Sequence, residues 1–242
     1  MNSNTAEGKF ILYPRASLYF ALGVLITWIG FSQSYFSQLG KATIWHHLHG
    51  ASAGAWMVVL ISQPWFYKTG RMATHKLIGK IAVFTLVPVL VVGGWLMMHS
   101  MMVNVDLYPP DVPYTLSFID AFSIIMFIFF IYMSLAHSKF IHRHARYMSL
   151  TILVLMPPAL TRLLFLTPWF HDFPSSLNMS FAIVELVLLL LILDDKRSGK
   201  IHLPYVLGIF LFALLHITMN FAAHWDWWRN IMDQYGAFPI GS

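Results

Sequence analysis

The chain has 242 residues, of which 58% are hydrophobic and only 10% charged, with a formal net charge of +5 and no cysteine. That composition excludes a soluble globular domain, whose surface needs far more polar side chain, and makes a lipid bilayer the solvent. It also excludes disulfides, thiolate ligands and thiol nucleophiles, and it argues against a nucleic-acid partner, because the basic residues sit in short loops between apolar stretches.

In chain order, apolar stretches long enough to cross the hydrocarbon layer lie at 16–39, 43–67, 79–103, 116–138, 146–166, 177–193 and 204–222. The first follows a polar lead without a small-residue cleavage site, so it reads as a retained span and not as a signal peptide. The connections are too short to fold by themselves. The expectation is an all-α integral membrane bundle of seven transmembrane helices, one domain over residues 1–242. Trp45, Trp65, Tyr67, Tyr108, Tyr114, Trp169, Trp225, Trp227 and Trp228 collect near the ends of these stretches, where amphipathic rings prefer the headgroup layer.

Lys and Arg set the orientation. Lys68, Arg71, Lys76 and Lys80 follow the second span, Lys139, Arg143 and Arg146 the fourth, and Lys196, Arg197 and Lys200 the sixth, which places these loops in the cytoplasm. The alternate loops carry Lys41, then Asp106 and Asp111, then Asp172, while Lys9 and Arg15 precede the first span. With seven crossings the N-terminus is cytoplasmic and the Trp-rich C-terminal tail outside. Pro64, Pro88 and the Pro157–Pro158 pair each remove a backbone hydrogen bond and favour kinks, above all in the fifth span. Gly50 and Gly54 form a small-residue ridge suited to close helix approach. There is no internal repeat of the kind that marks inverted-repeat transporters.

Helical spacing puts His46, His49, Ala53, Trp56, Leu60 and Gln63 on one stripe of the second span, polar at both ends. On this topology His46 and His49, His99 of the third span, Asp120 of the fourth and Arg162 of the fifth fall in the outer part of the bilayer. Glu185 of the sixth span lies nearer the middle, on a face with Asn178, and His216, Asn220 and His224 follow one another at fourfold steps on the seventh. Ionisable groups in hydrocarbon are costly unless paired or turned to a hydrated interior, so Asp120, Arg162 and Glu185 are expected to face inward, with Arg162 in salt-bridge reach of Asp120 or Glu185. So many costly groups at one depth point to a shared site. Imidazoles without thiolates suit haem b or a transition metal such as copper, zinc or iron, with His46, His49, His99 and His216 as metal ligands and His49, His99 and His216 as haem ligands. Glu185, Asp120 and Arg162 would then act as catalytic or charge-balancing groups. The histidines of the cytoplasmic side, His75, His137, His142, His144 and His202, read as parts of positive loops at an anionic leaflet.

Residues 70–80 (Gly-Arg-Met-Ala-Thr-His-Lys-Leu-Ile-Gly-Lys), preceded by His49, together with His144-Ala145-Arg146-Tyr147-Met148, Arg162 and the Asp-Lys-Arg-Ser-Gly-Lys-Ile-His run at 195–202, resemble uncharacterised bacterial multi-pass membrane proteins. The resemblance covers the second to seventh spans and implies a bacterial inner-membrane location. A weaker likeness is to the b561-type haem cytochromes, which place paired haem histidines on a four-helix core; here the fourth span offers only His137 and the fifth only His144, both at their cytoplasmic ends.

Three functional expectations follow from the residues. In the first, the outer site binds haem or a metal and serves electron transfer or oxidation of a lipophilic small molecule. In the second, Asp120, Arg162, Glu185 and His216 titrate along the pathway of a proton-coupled transporter. In the third, the chain is a structural or assembly subunit, with the Trp-rich tail docking a partner subunit or a second copy. The orientation has a direct check: single cysteines added to this cysteine-free chain at 75, 142 and 199 should resist an impermeant thiol reagent in intact cells, and labelling of position 142 from outside would reverse the topology.

Overall fold

A computed structural model describes residues 15–239; the polar lead with Lys9, which contributed to the expected orientation, lies outside the described residues. The described residues form helices and turns with no strand. The helices are α1 (Ala16–Gly30), α2 (Ile44–Lys68), α3 (Met72–Ile81), α4 (Val87–Val103), α5 (Val112–Ala136), α6 (Ile141–Phe165), α7 (Phe173–Arg197), α8 (Leu203–Ala222) and α9 (Asp226–Ala237). Five continuous rods are long and apolar enough to cross a membrane: Met72–Val103, which joins α3 to α4, and then α5, α6, α7 and α8. The chain is therefore a multi-pass helical bundle whose apolar surface fits a lipid bilayer.

α2 spans 25 residues, but three histidines in its first two turns dilute its hydropathy. α1 differs from expectation: it stops at Gly30, not near residue 39, and has 15 residues. Beyond it Ser32 Oγ donates to the Ile29 carbonyl at 2.6 Å and Ser37 Oγ to the Gln33 carbonyl at 2.6 Å. Such local bonds compete with helix propagation. The chain turns over residues 31–35 and continues as a 3₁₀ segment, Phe36–Lys41, above the start of α2.

α3 and α4 are joined through a π-helical turn, Ala82–Leu86, just before Pro88. A widened turn is a common way to absorb a backbone that cannot keep regular i to i−4 bonding. The combined rod has 32 residues, about 48 Å of helix, so it exceeds the hydrocarbon thickness and carries Lys76 and Lys80 beyond it. α6 is the central element, packed against α1, α2, α5, α7 and α8, and it runs unbroken through Pro157 and Pro158. The core along it includes Trp56, Phe127, Phe130, Tyr147, Leu150, Phe181 and Phe212.

Close approach uses other glycines than the expected ridge. Nothing lies within 4 Å of a Cβ placed on Gly54, and one on Gly50 meets only the Tyr35 ring, from 3.5 Å. At the α1–α6 crossing, by contrast, a Cβ on Gly30 would stand 2.3 Å from the Ala159 carbonyl oxygen. Gly30→Val should therefore lower stability by about 1–3 kcal/mol, read as a drop in the detergent melting temperature, while Gly54→Ala leaves it unchanged or slightly raised.

Candidate functional site

The residues expected to share one site separate into three groups. The first lies where the segment after α1, the start of α2, α5 and the end of α6 converge. Arg162 Nε donates to Ser34 Oγ at 3.1 Å and Nη1 to the Pro158 carbonyl at 2.8 Å, and the guanidinium carbon stands 4.5 Å from the Phe31 ring centre. Arg162 keeps accessible surface, with Ser34, the Pro158 carbonyl and the Phe31 ring around its guanidinium. Asp120 and His46 both lie within electrostatic reach of Arg162, and His49 within reach of His46.

The expected salt bridge of Arg162 is not formed: no carboxylate comes within 4.0 Å of it among the described residues, and Asp120 has no hydrogen-bond partner there. The reason is reach. Arg162 is drawn toward α1 by Ser34, the Pro158 carbonyl and Phe31, and Asp120 stays at longer range.

The imidazoles of this group are individually oriented. His49 Nδ1 donates to the Leu90 carbonyl at 3.1 Å, which leaves a lone pair on Nε2 of the neutral ring. Gly93 and Gly94 make this possible, since a Cβ on Gly93 would stand 3.2 Å from the His49 Cα and one on Gly94 3.1 Å from its ring. His46 Nδ1 bonds Thr43 Oγ1 at 2.7 Å, and His47 Nδ1 bonds the Tyr35 hydroxyl at 2.8 Å.

The second group joins α7 to α8. His216 Nδ1 donates to Glu185 Oε1 at 2.9 Å, and its Nε2 meets Asn178 Oδ1 at 3.1 Å. Asn178 Nδ2 donates to the Pro174 carbonyl at 2.8 Å, and a carbonyl only accepts, so the amide oxygen is the atom that faces His216. Both ring nitrogens of His216 therefore stand within hydrogen-bond distance of side-chain oxygens. Asn220 Nδ2 adds a bond to Asn178 Oδ1 at 3.0 Å, and Phe181 stacks on the His216 ring. Glu185 therefore pairs within α7 and α8 and does not meet Arg162.

The third group docks the C-terminal helix. His99 Nε2 donates to the Phe238 carbonyl at 2.9 Å, with the Tyr235 ring edge-on to it. α9 is further fixed by Tyr114 Oη to Asp233 Oδ1 at 2.6 Å, Arg229 to Asp111 at 2.7 Å, and Trp228 Nε1 to the Tyr114 carbonyl at 2.9 Å. His99 is a clasp in this arrangement. Among the described residues no three His, Asp or Glu side chains converge closely enough to hold an ion.

At the opposite end of the bundle lies a pairing that the sequence did not single out. Arg146 and Asp195 form a bonded ion pair, 3% and 1% exposed. Arg146 Nε donates to both carboxylate oxygens at 3.1 Å, and Nη1 to the His142 carbonyl at 2.9 Å. The Asp195 carboxylate also accepts from the His202 main-chain N–H at 3.3 Å. Burial, helped by Arg146, pushes the His202 imidazole below its usual range, and its ring stacks on His142 at 5.5 Å. A positive-inside tally reads Arg146 as a loop charge; only the helical continuation of α7 to Arg197 brings Asp195 to it.

Comparison of the chain with protein-family models, with curated proteins and with solved structures gives no match. Removing one charge of the Arg146–Asp195 pair strands the other in the interior. Asp195→Asn should cost about 3–5 kcal/mol of stability, measured by denaturant titration in micelles, and the Arg146→Met, Asp195→Leu double substitution should cost less.

Proposed function

We propose that the chain crosses the bacterial inner membrane seven times, with α1 and α2 completing the bundle, the N-terminus inside and α9 outside, and that its outer crevice exchanges protons in a proton-coupled carrier. The orientation rests on the cationic loops after α2, α5 and α7. The functional reading rests on one observation above the others: Asp120 stands within electrostatic reach of Arg162 yet is bonded neither to it nor to any other described residue. A purely structural pair in a bundle interior closes its hydrogen bonds, as Arg146 and Asp195 do. A carboxylate held open within electrostatic reach of a guanidinium is poised to gain and lose a proton as its surroundings change. Arg162 would stabilise the ionised form, and His46 and His49 would pass protons between Asp120 and the outer aqueous phase.

A second reading has its own support. His49 is held at Nδ1 by a main-chain carbonyl with Nε2 bare, the way a ligating imidazole is usually oriented, and His46 lies next to it. On this reading the pair contributes to a haem b or transition-metal centre for electron transfer or oxidation of a lipophilic molecule. The other expected ligands, His99 and His216, hydrogen-bond to the Phe238 carbonyl and to Glu185 and Asn178.

One preparation separates the two. Purified protein in liposomes loaded with a pH-sensitive dye should conduct protons under an imposed potential, at least tenfold less so for Asp120→Asn. An infrared pH titration should show a carboxyl band that the same substitution removes. Absence of both would sink the carrier reading. A Soret band, or a stoichiometric metal lost in His49→Ala and kept in His142→Ala, would install the second reading in its place.

A further inference from the structure

From the end of the bundle opposite Arg162, we infer that α2, α3 and α6 build a divalent transition-metal site from His75, His144 and Gln63. The ring centres of His75 and His144 are 6.4 Å apart at 72°. With each nitrogen about 2 Å from an ion, two imidazoles sharing one tetrahedral metal place their ring centres roughly 5–5.5 Å apart. The two rings stand about 1 Å beyond that spacing, a gap within reach of side-chain rotation.

Each ring also has one nitrogen engaged and the other bare. His144 Nδ1 donates to the Ser134 carbonyl at 3.0 Å and lies 2.8 Å from Ser134 Oγ, so its lone pair is on Nε2, which has no hydrogen-bond partner among the described residues. The His75 ring leans on the main-chain carbonyl of Gln63, while its Nδ1 is buried without a partner. A carbonyl-held imidazole with its other nitrogen open is the arrangement that orients metal ligands.

Gln63 supplies the third group. Its Nε2 is buried without a partner, and its Oε1 lies 3.8 Å from the Cβ position of Gly79, one turn beyond His75. The amide can be turned over with no change of shape, which exchanges nitrogen for oxygen at the unpartnered position. Three buried or open polar groups from three helices, each unsatisfied alone, are satisfied together by one cation with water as a fourth ligand. Imidazole and amide oxygen without thiolate select the zinc and copper class over soft monovalent ions or calcium. The set has only two histidines, and it uses none of the residues of the proton-exchanging crevice.

The test uses the full-length protein in detergent, with any affinity tag removed and resident metal stripped, titrated with Co²⁺. One equivalent should give visible ligand-field bands, displaced by Zn²⁺. His75→Asn and His144→Asn should each weaken binding at least tenfold, Gln63→Leu less, and His49→Asn not at all. Binding lost in His49→Asn and kept in the His75→Asn, His144→Asn double variant would overturn the assignment and move the metal to the outer crevice. No binding to the wild-type protein would overturn it outright, and would leave proton exchange at Asp120 untouched. Should a variant fail to fold, the wild type still decides: Zn²⁺ should shield His75 and His144 from carbethoxylation, and equal modification with and without the ion would refute the site.

Discussion

α6 carries Arg146 near its start and Arg162 near its end, and the bundle is organised by how these two are met. In hydrocarbon a guanidinium needs hydrogen-bond acceptors or a hydrated space. Arg146 is met by a carboxylate from α7, by the His142 carbonyl and by the face of Tyr205, a closed arrangement without access to water. Arg162 is met by a serine hydroxyl, a main-chain carbonyl and an aromatic ring, with its one nearby carboxylate left at a distance. One end of the central helix is therefore locked and the other is open.

The seam between α2 and α6 connects these ends. On α2 the stripe from His46 to Gln63 faces polar groups at both extremities, and at its middle Trp56 Nε1 donates to Thr151 Oγ1 at 3.1 Å. Trp56, Leu60 and Leu150 are almost wholly enclosed there. The seam is thus polar at its two ends and apolar between them, around the Trp56–Thr151 hydrogen bond.

Much of this arrangement is legible in the amino-acid sequence. The positions of α2 and of α4 to α8 follow from apolar length, with ends shifted by a few residues because caps and turn-formers such as the Phe173-Pro174 start of α7 lie outside the apolar window; α3 (Met72–Ile81) falls where the charged run 68–78 reads as a loop, since its lysines lower the hydropathy of a helix. α1 was overestimated because the residues after Gly30 remain fairly apolar, and nothing in their hydropathy shows that Ser32 and Ser37 will bond back to the chain. The polar stripe of α2 was legible because it lies on a single helix, where spacing fixes direction. The grouping of sites was not. Depth can be read from position in a span, but azimuth relative to other helices cannot, so His99, His216 and His49 looked like neighbours when they face α9, α7 and α4. Arg146 and Asp195 were hidden by the opposite error, since each sits in a cluster of charges that a loop count treats as solvated.

The π-helical turn between α3 and α4 governs the relative phase of two segments that would otherwise be locked together. One extra residue in a helix rotates everything beyond it by about 100°. Ala82–Leu86 therefore lets His75 look toward Gln63 and His144 while Gly93 and Gly94, on the same rod, look toward His49. The rod acts as a keyed shaft whose two bits are cut at different angles. A regular α-helical turn at that place would present the two faces at a different angle to one another.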